Sequence, residues 1–261
     1  MVKKHFKTVT DWILVALLPL FTVQGCTSLP ASVSYFDNGR KGEAFLCRPE
    51  GKGPFAAVVY SYGVIIDQFG LAGAFQRGYD LNGICYAIAK EGFLAVIPLR
   101  EDLSLRFGRT SRESYQRHKE GLWRAIDFVK TIPDVDSSRL ALMGHSRGGL
   151  LTLMLAVERK DLRAFVVSAP APGPAGTFSD VLTKVKLLNA PILLLAEKGE
   201  EDPRILENLQ AFERTLQTQQ KEGQLIVYTR GGGHRLFFTV DYYWDDVRTF
   251  LREKLGSAHP S

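Results

Sequence analysis

The sequence predicts an α/β fold: a mostly parallel central sheet with helices on both faces and an N-terminal antiparallel hairpin. Three observations predict it. Short apolar runs typical of buried strands alternate with amphipathic helices along most of the chain. Two N-terminal strand patterns flank Asp37-Asn38-Gly39, a turn signal typical of a hairpin. No repeat, low-complexity tract or obvious linker interrupts the alternation, so we expect one domain.

The composition is that of an ordinary globular protein. The chain has 261 residues, of which 45% are hydrophobic and 23% charged, and this excludes a disordered, collagen-like or coiled-coil protein. Three cysteines are too few for a scaffold built on disulfides. The net charge of +5 comes without a basic patch that interleaves aromatics, so we expect no nucleic-acid binding.

The N-terminus has the layout of a targeting segment. Residues 1–25 contain a lysine-rich start and an apolar stretch too short to cross a bilayer, as in a secretory signal peptide. Val23-Gln24-Gly25-Cys26 resembles a bacterial lipobox, so Cys26 is the candidate for lipidation. Residues 26–31 then form a tether and 32–257 the domain. We expect a lipid-anchored envelope protein that faces the periplasm and contacts the membrane only through that anchor. The alternative is a secreted, soluble protein.

The elements of the first half follow from apolar runs and breakers. The hairpin strands 32–36 and 42–47 are followed by the buried strand 55–61, which is entered through Gly53-Pro54. The glycine- and aromatic-rich loop 65–80 is expected to form one wall of a pocket. A helix that ends at Gly92 and a helix with apolar residues at 3–4 spacing flank the next strand. The predicted ranges are helix 81–91, strand 93–98 and helix 111–131.

The second half continues the same alternation. Its predicted strands are 139–143, 164–168, 192–196 and 225–229, and its predicted helices are 148–159, 203–220 and 238–255. The proline-rich connection 170–189 breaks the rhythm and is either a small lid over a site or a solvent loop with one helical turn. Cys47 and Cys85 are expected to be buried free thiols, although the oxidising compartment would permit a disulfide between them.

The strongest chemical signal is Gly144-His145-Ser146-Arg147-Gly148 between a predicted strand and an apolar helix. It fits the G-x-S-x-G elbow, in which a serine on a sharp strand-to-helix turn is exposed at the carboxyl end of the sheet. The glycines let the turn approach the sheet, and the helix N-terminus favours developing negative charge. Ser146 is therefore the candidate nucleophile.

A serine hydroxyl needs a base, which a carboxylate orients, and in this motif class the acid and then the histidine follow the serine. His234, after three glycines, is the candidate base, because His259 lies near the chain end and His145 is locked in the elbow. The acid should follow strand 192–196. Asp202 is the first candidate, although it also fits a helix N-cap before Pro203, and Glu197 and Glu200 are the alternatives.

An oxyanion hole needs two N–H donors. The residue after the nucleophile, Arg147, should supply one, and Val64, in the loop after strand 55–61, the other. Gly63 makes room for the backbone turn, and Tyr62 is expected to line the pocket. Arg100 and Arg109 flank another loop and either attract an anionic substrate group or are solvated surface residues.

These motifs resemble the α/β-hydrolase superfamily, nearest to its dienelactone-hydrolase-like and prolyl-oligopeptidase-like esterase branch, over about residues 35–255. The resemblance implies a Ser146–Asp202–His234 triad and hydrolysis of small carboxylic esters through an acyl-enzyme, with no metal and no cofactor. Many members carry His-Gly where this sequence has Tyr62-Gly63. The alternatives are a small peptidase or amidase of the same fold and a non-catalytic envelope binding protein.

Overall fold

The computed structural model describes residues 30–37, 40–101, 108 and 110–256. The predicted signal segment 1–25, Cys26, Arg109 and His259 therefore lie outside the described residues. Most of the predicted tether 26–31 also lies outside the described residues, which begin at its last two positions, Pro30 and Ala31.

A sheet of eight strands forms the centre of the described chain. Apolar and β-branched residues fill its inner strands, which suits strands covered on both faces. The strands are β1 Ala31–Asp37, β2 Arg40–Cys47, β3 Phe55–Ser61, β4 Leu94–Leu99, β5 Val135–His145, β6 Ala164–Ser168, β7 Ile192–Glu197 and β8 Gly223–Tyr228.

The strand order is β1-β2-β4-β3-β5-β6-β7-β8. Strands β3 to β8 pair in parallel, whereas β1 and β2 form an antiparallel hairpin that joins β4 antiparallel. The hairpin pairs Asp37 with Arg40 across the predicted turn. The predicted α/β architecture with its N-terminal hairpin is confirmed.

The described ranges contain seven α-helices, six between strands and one after the last strand. They are α1 Val64–Phe75, α2 Leu81–Lys90, α3 Arg112–Val129, α4 Arg147–Ala156, α5 Thr177–Thr183, α6 Pro203–Thr218 and α7 Trp244–Leu255. Across that part of the chain, none of the helices has the length and apolar character that crossing a bilayer requires.

The two faces of the sheet carry separate apolar cores. Alternation along β3 sends Ala57 and Val59 to the core beneath α3, α4 and α6, and Val58 and Tyr60 to the core beneath α2 and α7. Residues of opposite parity on a strand point to opposite faces, so one apolar run serves both cores. The parallel strands are thus fixed on both sides, and their carboxyl ends form a rigid edge.

Three segments differ from their predicted form. The predicted helix 238–255 begins only at Trp244. The expected loop 65–80 begins with helix α1, whose turn is broken at Gly70 by a positive φ of 66° that glycine tolerates. The connection 170–189 contains α5, and its side chains Phe178 and Val181 are buried in the core. Because those side chains anchor it to the core, this segment is part of the packed fold rather than a separate lid.

Cys47 and Cys85 form a disulfide that joins β2 to α2, with Cα atoms 5.8 Å apart. The expectation of two free thiols was wrong. The antiparallel hairpin brings the end of β2 against the face of α2, and this juxtaposition of strand and helix is not readable from the spacing of the two cysteines. The bridge ties the edge of the sheet to the helix that covers it.

Candidate active site

Ser146 occupies a tight turn between β5 and α4. Its φ of 56° and ψ of −120° lie outside the helical and strand regions, which is a costly conformation for a residue with a side chain. A Cβ at Gly148 would lie 1.8 Å from the carbonyl oxygen of Ser61, and one at Gly144 2.3 Å from the carbonyl oxygen of Gly148. Only glycine fits at either position, so the local geometry is that of the predicted elbow.

His234 lies in a short 3-10 turn, Gly233–Phe238, that follows β8. The three glycines before it all have positive φ, with values of 83°, 98° and 53° for Gly231, Gly232 and Gly233. Side-chain-bearing residues rarely adopt this region. The glycines therefore turn the chain sharply and bring the imidazole back over the carboxyl edge of the sheet.

The carboxylate next to His234 is Glu200. His234 Nδ1 lies 3.0 Å from Glu200 Oε2, and the Glu200 side chain is 1% exposed. A carboxylate oxygen accepts a hydrogen bond from Nδ1–H, and in that tautomer Nε2 is the nitrogen with the free lone pair. Glu200 was one of the alternatives that the sequence left open.

Asp202 does not pair with His234, so the predicted choice of acid is corrected. Its carboxylate accepts the backbone N–H of Arg204 at 3.1 Å and caps helix α6. The Arg204 guanidinium donates to the same carboxylate at 2.9 and 2.6 Å, and these hydrogen bonds lower the pKa of Asp202. Because Pro203 starts the helix, the Asp202 side chain turns toward the helix rather than toward the histidine loop.

Two further glutamates hold the histidine loop. Glu197 Oε1 accepts the backbone N–H of Gly231 at 3.0 Å, and Glu201 Oε2 accepts that of His234 at 3.2 Å. Glu197 also accepts the N–H of Gly199 in its own turn. Charge-assisted hydrogen bonds of this kind are stronger than neutral ones. The turn after β7 thus fixes both the backbone and the ring of His234, a role that the sequence did not reveal for Glu201.

His145 connects the serine turn with the histidine loop. Its ring centroid is 4.6 Å from that of His234, and burial, with the charge of His234 as a second cause, holds the pKa of His145 well below its usual value. Within the described chain, Ser146 and His234 make no direct hydrogen bond. Such bonds in ligand-free enzymes are often long and tighten only with substrate.

The two predicted oxyanion donors start two helices. Val64 is the first residue of α1 and Arg147 the first of α4, and both line one cavity with Ser146. A Cβ at Gly63 would lie 3.3 Å from Ser146 Cβ, so the two loops touch at this glycine. The N-termini of both helices therefore begin at the cavity that Ser146 lines, and a helix N-terminus favours negative charge.

Tyr62 and Arg100 lie elsewhere than predicted. Tyr62 is buried, its hydroxyl accepts a hydrogen bond from the backbone N–H of Arg100 at 2.7 Å, and it does not line the cavity next to Ser146. The Arg100 guanidinium lies over the Tyr62 ring and pairs with Asp67. Arg100 is thus neither solvated nor directed at a substrate, and the expectation for both residues is corrected.

The cavity next to Ser146 has a volume of about 260 Å³. Its walls come from α1, α3, α4, α6 and the connection after β6. The lining residues are Val64, Gln68, Thr110, Tyr115, Ser146, Arg147, Ala171, Pro172, Gly173 and Arg204. A larger cavity of about 520 Å³ lies between α3 and the hairpin, and neither Ser146 nor His234 lines it.

Gln68 lies in segment 65–80, which the sequence predicted as one wall of the pocket, but the sequence did not predict Tyr115 or Arg204 as lining residues. Tyr115 and Arg204 reach the cavity through the packing of separate helices, and no local pattern marks that role. In the described ranges, no cluster of three histidine, cysteine or acidic side chains is arranged to hold a metal ion.

Residues 43–242 match the dienelactone hydrolase family. Esterase EstD of Thermotoga maritima is 30% identical over 178 residues, which are 67% of this chain and 40% of that protein. The chain thus spans less than half the length of this curated relative. Among solved structures, an acylaminoacyl peptidase of Pyrococcus horikoshii has a TM-score of 0.64 at 18% identity, covering 89% of this chain and 42% of that one. Dipeptidyl peptidase 4 of Porphyromonas gingivalis has a TM-score of 0.67 at 15% sequence identity, and the match covers 87% of this chain and 36% of that one. These structural likenesses show the α/β-hydrolase fold.

Proposed function

Since this chain belongs to the dienelactone hydrolase family, we propose that it is a serine hydrolase that cleaves carboxylic esters through an acyl-enzyme. Family membership supports a hydrolase that acts on esters. The proposal adds the nucleophile, the base, the acid and the order of the steps.

Ser146 Oγ attacks the ester carbonyl carbon while its proton passes to Nε2 of His234. The tetrahedral intermediate collapses, the bond between the acyl carbon and the alcohol oxygen breaks, and the alcohol leaves with the proton from His234. Water then attacks the acyl carbon while His234 takes one of its protons. The bond between the acyl carbon and Ser146 Oγ breaks, His234 returns that proton to Ser146 Oγ, and the carboxylic acid is released. Glu200 orients the imidazole and stabilises its charged form throughout.

The negative oxygen of each tetrahedral intermediate needs donors that are already in place. The backbone N–H groups of Arg147 and Val64 are the donors that we propose. Both begin a helix beside Ser146, and the first N–H groups of a helix have no acceptor within it. The two helix N-termini add their positive potential to that of the donors.

The observation that carries this proposal is the pairing of His234 Nδ1 with the buried Glu200 carboxylate at 3.0 Å, at the sheet edge that holds the strained Ser146. A carboxylate–imidazole pair at the same sheet edge as a serine on a strained strand-to-helix turn is the arrangement that nucleophilic catalysis requires. The cavity of about 260 Å³ next to Ser146 lies below the range of drug-sized ligand sites, which supports short acyl groups.

The direct test is hydrolysis of a short p-nitrophenyl ester by the wild type and by Ser146→Ala. We expect the substitution to reduce kcat by at least about 1,000-fold with an unchanged circular dichroism spectrum. Ser179→Ala, on α5 outside the cavity, is the matched control and should keep full activity. Activity retained in Ser146→Ala would overturn the nucleophile, and an inactive wild type would favour a binding protein on the hydrolase fold.

A peptidase or amidase of the same fold is the second candidate. The solved structures named above as peptidases resemble this chain in fold, and amide cleavage would use the same serine and histidine. An amine is a poorer leaving group than an alcohol, so the protonation by His234 must then be more effective. Comparing an ester with the anilide of the same acyl group separates the two: faster turnover of the anilide would favour the peptidase.

A further inference from the structure

A buried group of charged side chains lies behind the two proposed oxyanion donors. It consists of Arg100, directly after β4, Asp67, in the first turn of α1, and Arg147, in the first turn of α4. The side chains are 7%, 11% and 2% exposed respectively. We refer to these three residues as the charged cluster.

The Arg100 guanidinium forms hydrogen bonds with residues on both sides of Val64 in the sequence. Its Nη1 donates to the carbonyl oxygen of Tyr62 at 2.7 Å and its Nη2 to that of Gly63 at 3.0 Å. The same guanidinium donates to both carboxylate oxygens of Asp67 at 3.1 and 2.9 Å. Tyr62 and Gly63 precede Val64, and Asp67 follows it by one helical turn, so one planar group fixes the chain before and after the donor.

Asp67 extends this contact to the other donor. Its Oδ2 lies 3.9 Å from Nη1 of Arg147, the residue whose backbone N–H is the first donor. The shared carboxylate therefore lies between the guanidinium that fixes Val64 and the guanidinium that belongs to Arg147. No other carboxylate in the described residues contacts both arginines.

His118 supports the Arg147 side chain from α3. Its Nε2 lies 3.0 Å from the carbonyl oxygen of Glu101. Because a carbonyl oxygen only accepts, Nε2 carries the proton and Nδ1 is the acceptor, 3.4 Å from Nη1 of Arg147. Burial, with the charge of Arg100 as the second cause, lowers the pKa of His118 to about 4, so the ring is neutral at neutral pH.

We propose that Arg100 and Asp67 are positioning residues that set the backbone N–H of Val64 against that of Arg147, so that both donors reach one oxyanion. This inference rests on the proposed function. Oxyanion donors act only when held within about 0.5 Å of the productive geometry, and loop backbone alone does not supply that precision. Neither side chain touches the substrate, and each acts through the Val64 loop.

The chain contains a matched control for the loss of a buried arginine. Arg159 is 3% exposed and pairs with Asp127 and Asp161. It also lies over the Trp123 ring at 4.6 Å and donates to the Trp123 carbonyl oxygen at 3.2 Å. The contacts match those of Arg100 in kind, but they join α3 to the end of α4, outside the cavity beside Ser146.

The test compares Arg100→Lys, Asp67→Asn and Arg159→Lys in steady-state ester hydrolysis. Rates are expressed per site labelled by a fluorophosphonate, so that unfolded protein does not count. We expect kcat to fall about 10- to 100-fold in Arg100→Lys and Asp67→Asn, with KM within about twofold because ground-state binding is unaffected. Arg159→Lys should lower the melting temperature and leave kcat unchanged.

A tetrahedral-adduct inhibitor supplies the second readout. A trifluoromethyl ketone places an oxyanion between the donors, so its affinity should fall in Arg100→Lys and Asp67→Asn in parallel with kcat. Unchanged kcat and inhibitor affinity in folded Asp67→Asn would overturn the inference, even if Arg100→Lys does not fold. If the wild type neither turns over ester nor reacts with the probe, the proposed function fails, and the inference with it.

Discussion

His234 Nδ1 lies 3.0 Å from the Glu200 carboxylate, which is almost fully buried. The carboxylate of Asp202, only two positions later, caps the N-terminus of α6 and forms an ion pair with Arg204. The two carboxylates therefore have different tasks although they share one turn. Orientation of the imidazole belongs to Glu200, and the start of the helix belongs to Asp202.

Matched amide substitutions separate these two tasks. Glu200→Gln should lower kcat at least about 100-fold, because a neutral partner neither fixes the tautomer nor stabilises the imidazolium. Asp202→Asn keeps a good helix cap and should change kcat by less than about twofold. Ester hydrolysis under saturating substrate measures both. The reverse pattern, with Asp202→Asn impaired and Glu200→Gln intact, would restore Asp202 as the acid.

The lowered pKa of His118 makes the stability of the folded protein depend on pH. This pKa is about 4 in the folded protein and about 6.5 in an unfolded chain, so the unfolded state binds more protons between these values. The free energy of unfolding therefore falls as the pH drops from about 6.5 to about 4, by about 3 kcal/mol at full extent. The lowered pKa of buried His145 adds to this slope with the same sign.

We expect His118→Gln to flatten that slope without abolishing it. Urea unfolding between about pH 7 and pH 5 measures the effect, because the urea concentration at the unfolding midpoint follows the free energy of unfolding when the m-value is constant. A slope in His118→Gln equal to that of the wild type would show that this ring titrates alike in both states.

The disulfide predicts a loss of stability on its removal. The double substitution Cys47→Ala and Cys85→Ala should lower the free energy of unfolding by about 2–4 kcal/mol, since the bridge closes a long loop in the unfolded chain; the two cysteines are 38 positions apart. Dithiothreitol should destabilise the wild type by a similar amount and leave the variant unaffected. Equal sensitivity of both proteins to the reductant would contradict the bridge.

We propose from the sequence that Cys26 carries a lipid that attaches the protein to a membrane. Cys26→Ser should then move the protein from the membrane to the soluble fraction of lysed cells. Cys85→Ser, which removes a cysteine inside the domain, is the control and should leave the fractionation unchanged. A Cys26→Ser protein that stays in the membrane fraction would mean that another feature of the N-terminal segment holds it there.

The sequence predicted the parts of the site that local geometry dictates. Ser146 follows from glycines that no other residue can replace at the elbow, and His234 from three glycines that bend the chain after β8. Both signals are local because steric limits on a few consecutive residues create them. The alternation of buried strands and helices predicted the parallel sheet for the same reason.

The local sequence does not determine whether Glu200 or Asp202 pairs with His234. Both follow the same strand, and which carboxylate meets His234 depends on where α6 begins relative to the histidine loop. Pro203 indicated the cap, and a cap already commits the aspartate side chain to the helix. The buried contacts of Arg100 with Asp67 were equally hidden, because they join segments far apart in sequence that only the sheet brings together.

Peptide mapping after reaction with a fluorophosphonate identifies the nucleophile. We expect one adduct on the folded wild type, located at Ser146, and none on Ser146→Ala. His234→Gln, which keeps the fold but removes the base, should form it at least about 100-fold more slowly. An adduct at another residue, no adduct on the folded wild type, or an unchanged rate in His234→Gln would contradict the account.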